Sequence, residues 1–192
     1  MKENTIQVQY KDNPVLLDKV LQAMQNKLTL KLAWLDYAFG KAYKITEKNE
    51  NSKFIYPAFY NGQGEYISLL PNDNIGNFSW FDIYDPQKIE YVTPGLPQYI
   101  INGALVVWYN LESIFADNSV KYTEEVKNEI LGVLTEPSFI GVPGKLLIRE
   151  VYERAENVYK NYNASLEEHF LMYPYAGIRF EFTIKTRELC HY

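Results

Sequence analysis

The sequence is poor in the residues that most catalytic and metal sites use. It has one cysteine, Cys190, and two histidines, His169 and His191. A single cysteine excludes a disulfide framework within the chain and suits a reducing compartment. Cys190 and His191 are adjacent, so their side chains diverge and make a poor pair of tetrahedral metal ligands. A Cys190–His169 nucleophile pair would have to hold its geometry close to a chain end. An excess of basic residues is also lacking: 19 Lys and Arg stand against 24 Asp and Glu, a net charge of −5. That balance argues against a protein whose main task is neutralising phosphates, while a channel wall past which DNA slides tolerates mild acidity. No apolar stretch approaches the ~18 residues of a membrane span. The opening residues, Met1 to Gln7, have no apolar core of the kind a secretory signal needs. Neither a Gly-x-Ser-x-Gly elbow nor a His-Glu-x-x-His pair is present. No cofactor and no metal is expected.

Aromatic residues, in contrast, are plentiful. They make up 16% of the chain, 17 of them tyrosine. A tyrosine joins a large apolar ring to a polar tip and suits half-buried surfaces and interfaces, although strands also favour it.

Several short stretches look like binding motifs and fail on detail. Gly141-Val142-Pro143-Gly144-Lys145 has the ring of a phosphate loop, but Phe139 and Leu146 stand where that motif needs a glycine and a hydroxyl. Pro143 also removes one cradling N–H. Asn72-Asp73-Asn74-Ile75-Gly76-Asn77 carries oxygen ligands like a calcium loop, with too few carboxylates for tight binding; an Asx-rich turn explains it better. Glu124-Glu125 and Glu167-Glu168 point apart on a helix and cannot share acid–base work. Lys41, Tyr43 and Lys44 interleave bases with a ring, a faint nucleic-acid signal that an ordinary strand surface accounts for.

Periodicity places the elements. Asn13-Pro14 reads as a cap and first helical position, followed by an apolar helical face at Leu17, Val20, Leu21, Met24 and Leu28. Phe39–Thr46 reads as a strand. Phe54–Tyr60 and Glu65–Leu70 form a hairpin across two glycines, with Pro57 expected to place its strand at an edge. Phe78–Tyr84 is a short strand, and residues 85–102 an ordered, proline-bearing excursion from the core. Ala104–Tyr109, wholly apolar, is a central strand. Thr123 caps a helix that carries Glu124 and Glu125 in its first turn, buries Val126, Ile130, Val133 and Leu134, and stops at Pro137. The spacing of Leu147, Val151, Ala155, Val158 and Tyr162 predicts a long helix over 145–162, with Glu150–Arg154 and Glu156–Lys160 as i,i+4 pairs. Finally Ile178, Phe180, Phe182 and Ile184 alternate with Arg179, Glu181, Thr183 and Lys185, a strand with one solvated or partner-facing side. The expectation is a single domain over 1–192 of the α+β class, a mostly antiparallel sheet packed with about three helices.

Longer stretches carry a resemblance: Trp34-Leu35-Asp36-Tyr37-Ala38-Phe39-Gly40-Lys41-Ala42-Tyr43, Tyr56-Pro57-Ala58-Phe59-Tyr60, Gly64 to Asp73, Ile148 to Glu153, and Met172 to Glu181. Together they resemble small virion proteins of tailed phages and prophages of gut bacteria, including ring proteins in the tails of crAss-like phages. The order of elements is similar to a tail-terminator or connector fold. The resemblance implies a non-enzymatic structural protein of the virion tail or neck, made in the host cytoplasm. It implies closed rings of six or twelve copies, stacked on other ring, portal or tail proteins, with DNA passing through the channel without specific binding. No functional residue comes with it. On the residues themselves, Trp80, Tyr91, Tyr99, Tyr173 and Tyr175 are the candidate interface anchors, and Asp85–Asn102 and Pro71–Asn77 the candidate contact segments. A monomeric or dimeric aromatic-surface binding module and an enzyme of unrecognised family are the alternatives.

Overall fold

A computed structural model describes residues 12–49, 52–62, 64–72, 74–93, 96–163 and 166–187. The chain opens with helix α1 (Leu17–Lys31), then strands β1 (Tyr37–Lys41), β2 (Tyr43–Asn49), β3 (Ser52–Gly62), β4 (Glu65–Ser68), β5 (Phe78–Ile83), β6 (Lys88–Thr93) and β7 (Leu96–Asn110). Helices α2 (Leu111–Ile114) and α3 (Thr123–Leu134), strand β8 (Gly144–Tyr152), helix α4 (Ala155–Val158), a 3-10 turn at Glu168–Leu171 and strand β9 (Tyr175–Thr186) complete it. Among the described residues the fold is α+β, with nine strands in mostly antiparallel sheets and four short helices. One sheet runs β1-β5-β7-β9-β8, with β6 also paired to β7; the other is the meander β2-β3-β4. Of these described strand pairs, only β1 and β5 run parallel.

The apolar pattern of α1 finds its place: Val20, Leu21, Met24 and Leu28 are buried against the large sheet together with α3. The helix begins at Leu17 without a side-chain cap, so Asn13 and Pro14 precede it and do not open it. It continues to Lys31, and Leu32 and Leu35 just beyond it enter the same core. Alternation sorts the sheet into two faces. Phe81, Leu105, Val107, Ile178, Phe180, Phe182 and Ile184 face α1 and α3. Phe78, Trp80, Val106 and Trp108 face a second core with Phe39, Leu69, Val158, Tyr159 and Phe170. Two covered faces explain why Ala104–Tyr109 is apolar throughout.

Three expectations change. Residues 145–152 form a strand, not the first half of a helix. A bulge between Ile148 and Glu150 shifts the alternation by one, so Leu146, Ile148 and Val151 share a face, while Leu147, the first residue of the expected helical stripe, lies on the other. The i,i+4 pairs go with the helix: Lys160 bonds Glu181 at 2.8 Å and Glu150 accepts from Tyr152. Residues 85–102 are no excursion from the core but β6 and the first half of β7, with Ile100 and Ile101 buried. Gly103 lets β5 and β7 close there, since a Cβ would meet the Asp82 carbonyl oxygen at 2.7 Å. Pro57, expected at an edge, lies in the middle strand of the meander opposite Lys44. Its carbonyl accepts from the Leu69 N–H at 2.9 Å. The missing N–H would face the Leu69 carbonyl, which accepts from the Tyr159 hydroxyl at 3.0 Å instead, so no acceptor is left unpaired.

Candidate functional site

The densest polar constellation lies between the second face of the sheet and α4, and it is built from three segments. From β9, Arg179 is wholly enclosed at 0% exposure, and Glu181 is buried beside it. From β5 and just beyond come Asp82 and Tyr84, and from the end of α4 come Lys160, Asn161 and Tyr162. Arg179 Nη2 donates to Asp82 Oδ2 at 2.6 Å, Nε to Glu181 Oε1 at 2.7 Å, and Nη1 to the Val158 carbonyl at 3.0 Å. Nη2 also donates to the Tyr84 hydroxyl, which in turn donates to Glu181 at 2.6 Å. Lys160 reaches Glu181 at 2.8 Å while its ammonium lies 4.3 Å from the Tyr152 ring centroid. Asn161 Nδ2 donates to Asp82 Oδ2 at 2.7 Å, and the Tyr162 hydroxyl to Oδ1 at 3.1 Å.

Each charge here is matched. Burial opposes the charge on Arg179, but Asp82 and Glu181 outweigh it and hold the guanidinium protonated. Burial pushes Glu181 up, but hydrogen bonds from Lys160, Tyr84 and Arg179 outweigh that and keep its carboxyl below the ordinary value. A base or acid ready for catalysis needs a proton affinity near the working pH and a path to substrate. This network has its charges locked and its centre closed. It joins β5, β9 and α4. The polar side of β9, expected to be solvated or partner-facing, is instead the inner wall of this network.

Four tyrosines record burial as well, three beside this network and Tyr109 in the core on the other face of the sheet. Burial first, and neighbouring acids second for Tyr84, Tyr109 and Tyr162, push Tyr84, Tyr109, Tyr159 and Tyr162 well above the ordinary phenol value. Their folded-state affinity for the proton exceeds that of the unfolded chain. The associated stability is therefore complete below the unfolded value of about 10 and is lost as pH rises beyond it. We expect alkaline unfolding in which the tyrosinate band and the loss of circular dichroism rise in one coincident step; tyrosinate appearing across this range with the fold intact would contradict it.

The interface candidates separate. Trp80 is at 0% exposure, packed on Tyr162 at 5.7 Å and Tyr159 at 6.2 Å between ring centroids. It is core, with no surface to offer a partner. Tyr175 is half-buried against Phe170, with centroids 4.9 Å apart, and Tyr99 is half-buried on the first core. Tyr91 at 72% and Tyr173 at 41% are exposed, the latter beside exposed Leu171 and Met172. Ile89, 54% exposed, was not singled out; the alternation Lys88-Ile89-Glu90-Tyr91 was its signal. Asp82 was missed as well, an acid inside the apolar run Phe78–Ile83.

The partial motifs resolve as plain structure. Gly141–Lys145 leads into β8, not a helix. Asn72 accepts from the N–H groups of Asn74 and Ile75 at 3.0 and 3.1 Å, an Asx turn; Asp73 lies outside the described residues. Cys190 and His191 lie outside them too, and His169 is exposed. Among the described residues no group of three His, Cys, Asp or Glu converges to hold a metal ion, and no helix is long and apolar enough to cross a membrane. A shallow cleft of about 270 Å³ opens between α1 and the meander, with Phe59, Tyr60, Tyr43, Gln25 and Lys41 in its wall. No family model matches the chain, and no curated protein matches it.

Proposed function

We propose that the chain is a structural subunit of an oligomeric ring, of the kind that forms a phage tail or head-to-tail connector around the DNA channel. The observation that carries the reading is the hairpin β6–β7. Among the described residues its outer strand pairs with β7 alone, and it exposes Ile89 and Tyr91 on one face. The described register between β7 and β9 ends at Tyr99 and Thr186. Apolar side chains exposed on an edge strand contribute little to the fold and suit contact with another chain. The closed charge network agrees with a protein that assembles and does not turn over substrate. Virion location, stacking on other ring, portal or tail proteins, and passage of DNA without specific binding follow from the resemblance.

Mass by light scattering at high protein concentration, with negative-stain images of the same fraction, tests the proposal. Six or twelve times the chain mass and rings with an open centre are expected. A monomer at every concentration would refute self-assembly and favour the second reading, a binding module. That reading has its own observation, the aromatic-walled cleft beside α1.

A further inference from the structure

A ring built head to tail needs two unlike surfaces on each subunit, and the large sheet has two open edges. At one side it ends on β8, whose only strand partner among the described residues is β9. At the other side stand β1 and β6. The edge at β1 is covered: α1 packs on it, and the Gln25 amide donates to the Ala38 carbonyl at 2.8 Å. Among the described residues β6 has no strand partner except β7. An unpaired strand edge is a template for a further strand, so β6 and β8 are the two places where this sheet can grow.

Beside β8 lies a groove of about 490 Å³ between the strand and the end of α3, with Leu134, Phe139, Ile140, Leu146 and Ile148 in its wall. The registers fix which side chains would meet. Leu146 and Ile148 pair with Ile184 and Phe182, on the face toward α1 and α3. Ile89 and Tyr91 pair with Tyr99 and Pro97, and that row continues through Ile101 and Leu105 on the same face. Rotation about a ring axis keeps one face of every subunit toward the axis. Joining β6 to a neighbour's β8 therefore places Ile89 and Tyr91 in line with Leu146 and Ile148, over the apolar groove. On the opposite face β6 carries Lys88 and Glu90, and β8 carries Lys145, Leu147, Arg149 and Glu150, so each strand offers both signs of charge. The apolar rows match.

We infer that β6 of one copy adds to β8 of the next, so that the sheet runs on from subunit to subunit. This rests on the ring reading above and specifies its joint. Two double variants change exposed side chains only: Ile89→Lys with Tyr91→Lys spoils the hairpin, and Thr135→Arg with Lys145→Glu spoils the groove. Thermal melts checked against the unaltered protein keep folding apart from assembly. The unaltered protein should form rings and each variant alone should be monomeric. An equimolar mixture should give one-to-one heterodimers and nothing larger, because one good hairpin and one good groove remain between the two. Rings from either variant alone would overturn this joint and leave the ring reading standing, and variants that fail to pair with each other would overturn it as well. A monomeric unaltered protein would overturn both.

Discussion

Replacing Arg179 with methionine should lower folding stability by about 3–5 kcal/mol, the range for breaking a buried charge pair by removing one partner. Much of that loss is the cost of leaving Asp82 and Glu181 buried after their shared cation has gone, and only part is the lost attraction. Tyr84 loses a donor as well, while Lys160 still serves Glu181 from the rim. Two further measurements separate this account from simple loss of packing. Glu181 is held below its ordinary value in the folded chain, so its contribution is complete above the unfolded carboxylate value of about 4.3 and is lost as pH falls through the folded one. The gap between variant and parent should thus be widest near neutral pH and narrow in acid. Changing Asp82 and Glu181 to leucine in the Arg179→Met background should recover most of the loss, because apolar side chains carry no desolvation cost. Urea denaturation at several pH values reads all three proteins. A loss that does not vary with pH, or a triple variant no better than the single one, would assign the role of Arg179 to volume.

The same residues show how far a sequence can be read. β9 was legible because its apolar residues fall on every second position and its core face is continuous. Its other face was misjudged because charged residues on a strand usually mark solvent, and nothing local in Arg179-Phe180-Glu181 reveals that α4 and Tyr84 close over them. The pairing depends on Asp82, 97 residues away, and such a partner has no local signature. β8 failed for another reason. Its bulge at Arg149 inserts one residue and breaks the period of two that would have marked a strand. Tertiary pairing with β9 then overrode a run that suits a helix. Pro57 was read by its usual habit, and only the distant Tyr159 hydroxyl, which donates to the Leu69 carbonyl opposite it, shows why a middle strand tolerates it. The exposed hairpin was half legible: Tyr91 stood out as an aromatic, whereas Ile89 needed the strand assignment before its direction had meaning.

Trp80 tests the boundary between core and contact surface most directly. Trp80→Ala should lower stability by about 3–5 kcal/mol, the range for truncating a fully buried large aromatic. The ring sits between Tyr159 and Tyr162 on one side of the sheet, and those two aromatics belong to the segment that caps the charge network. Its removal opens a cavity under α4 and loosens the support behind Arg179. The two variants share neighbours, so their effects should not add: Trp80→Ala combined with Arg179→Met should cost less than the sum of the two. Trp80→Phe, which keeps an aromatic of similar placement, should cost much less than the alanine change. A residue acting as an intersubunit anchor would behave otherwise, because its truncation would leave the melting of the dilute monomer unchanged and weaken assembly at high concentration. Here the loss should appear at the lowest concentration that can be measured, independent of assembly, since the tryptophan is enclosed within one chain. Tyr91→Ala should show the reverse, with the dilute monomer melting as before and the oligomer weakened. Opposite responses from two aromatics separate the side chains that hold this fold together from those left over for a neighbour.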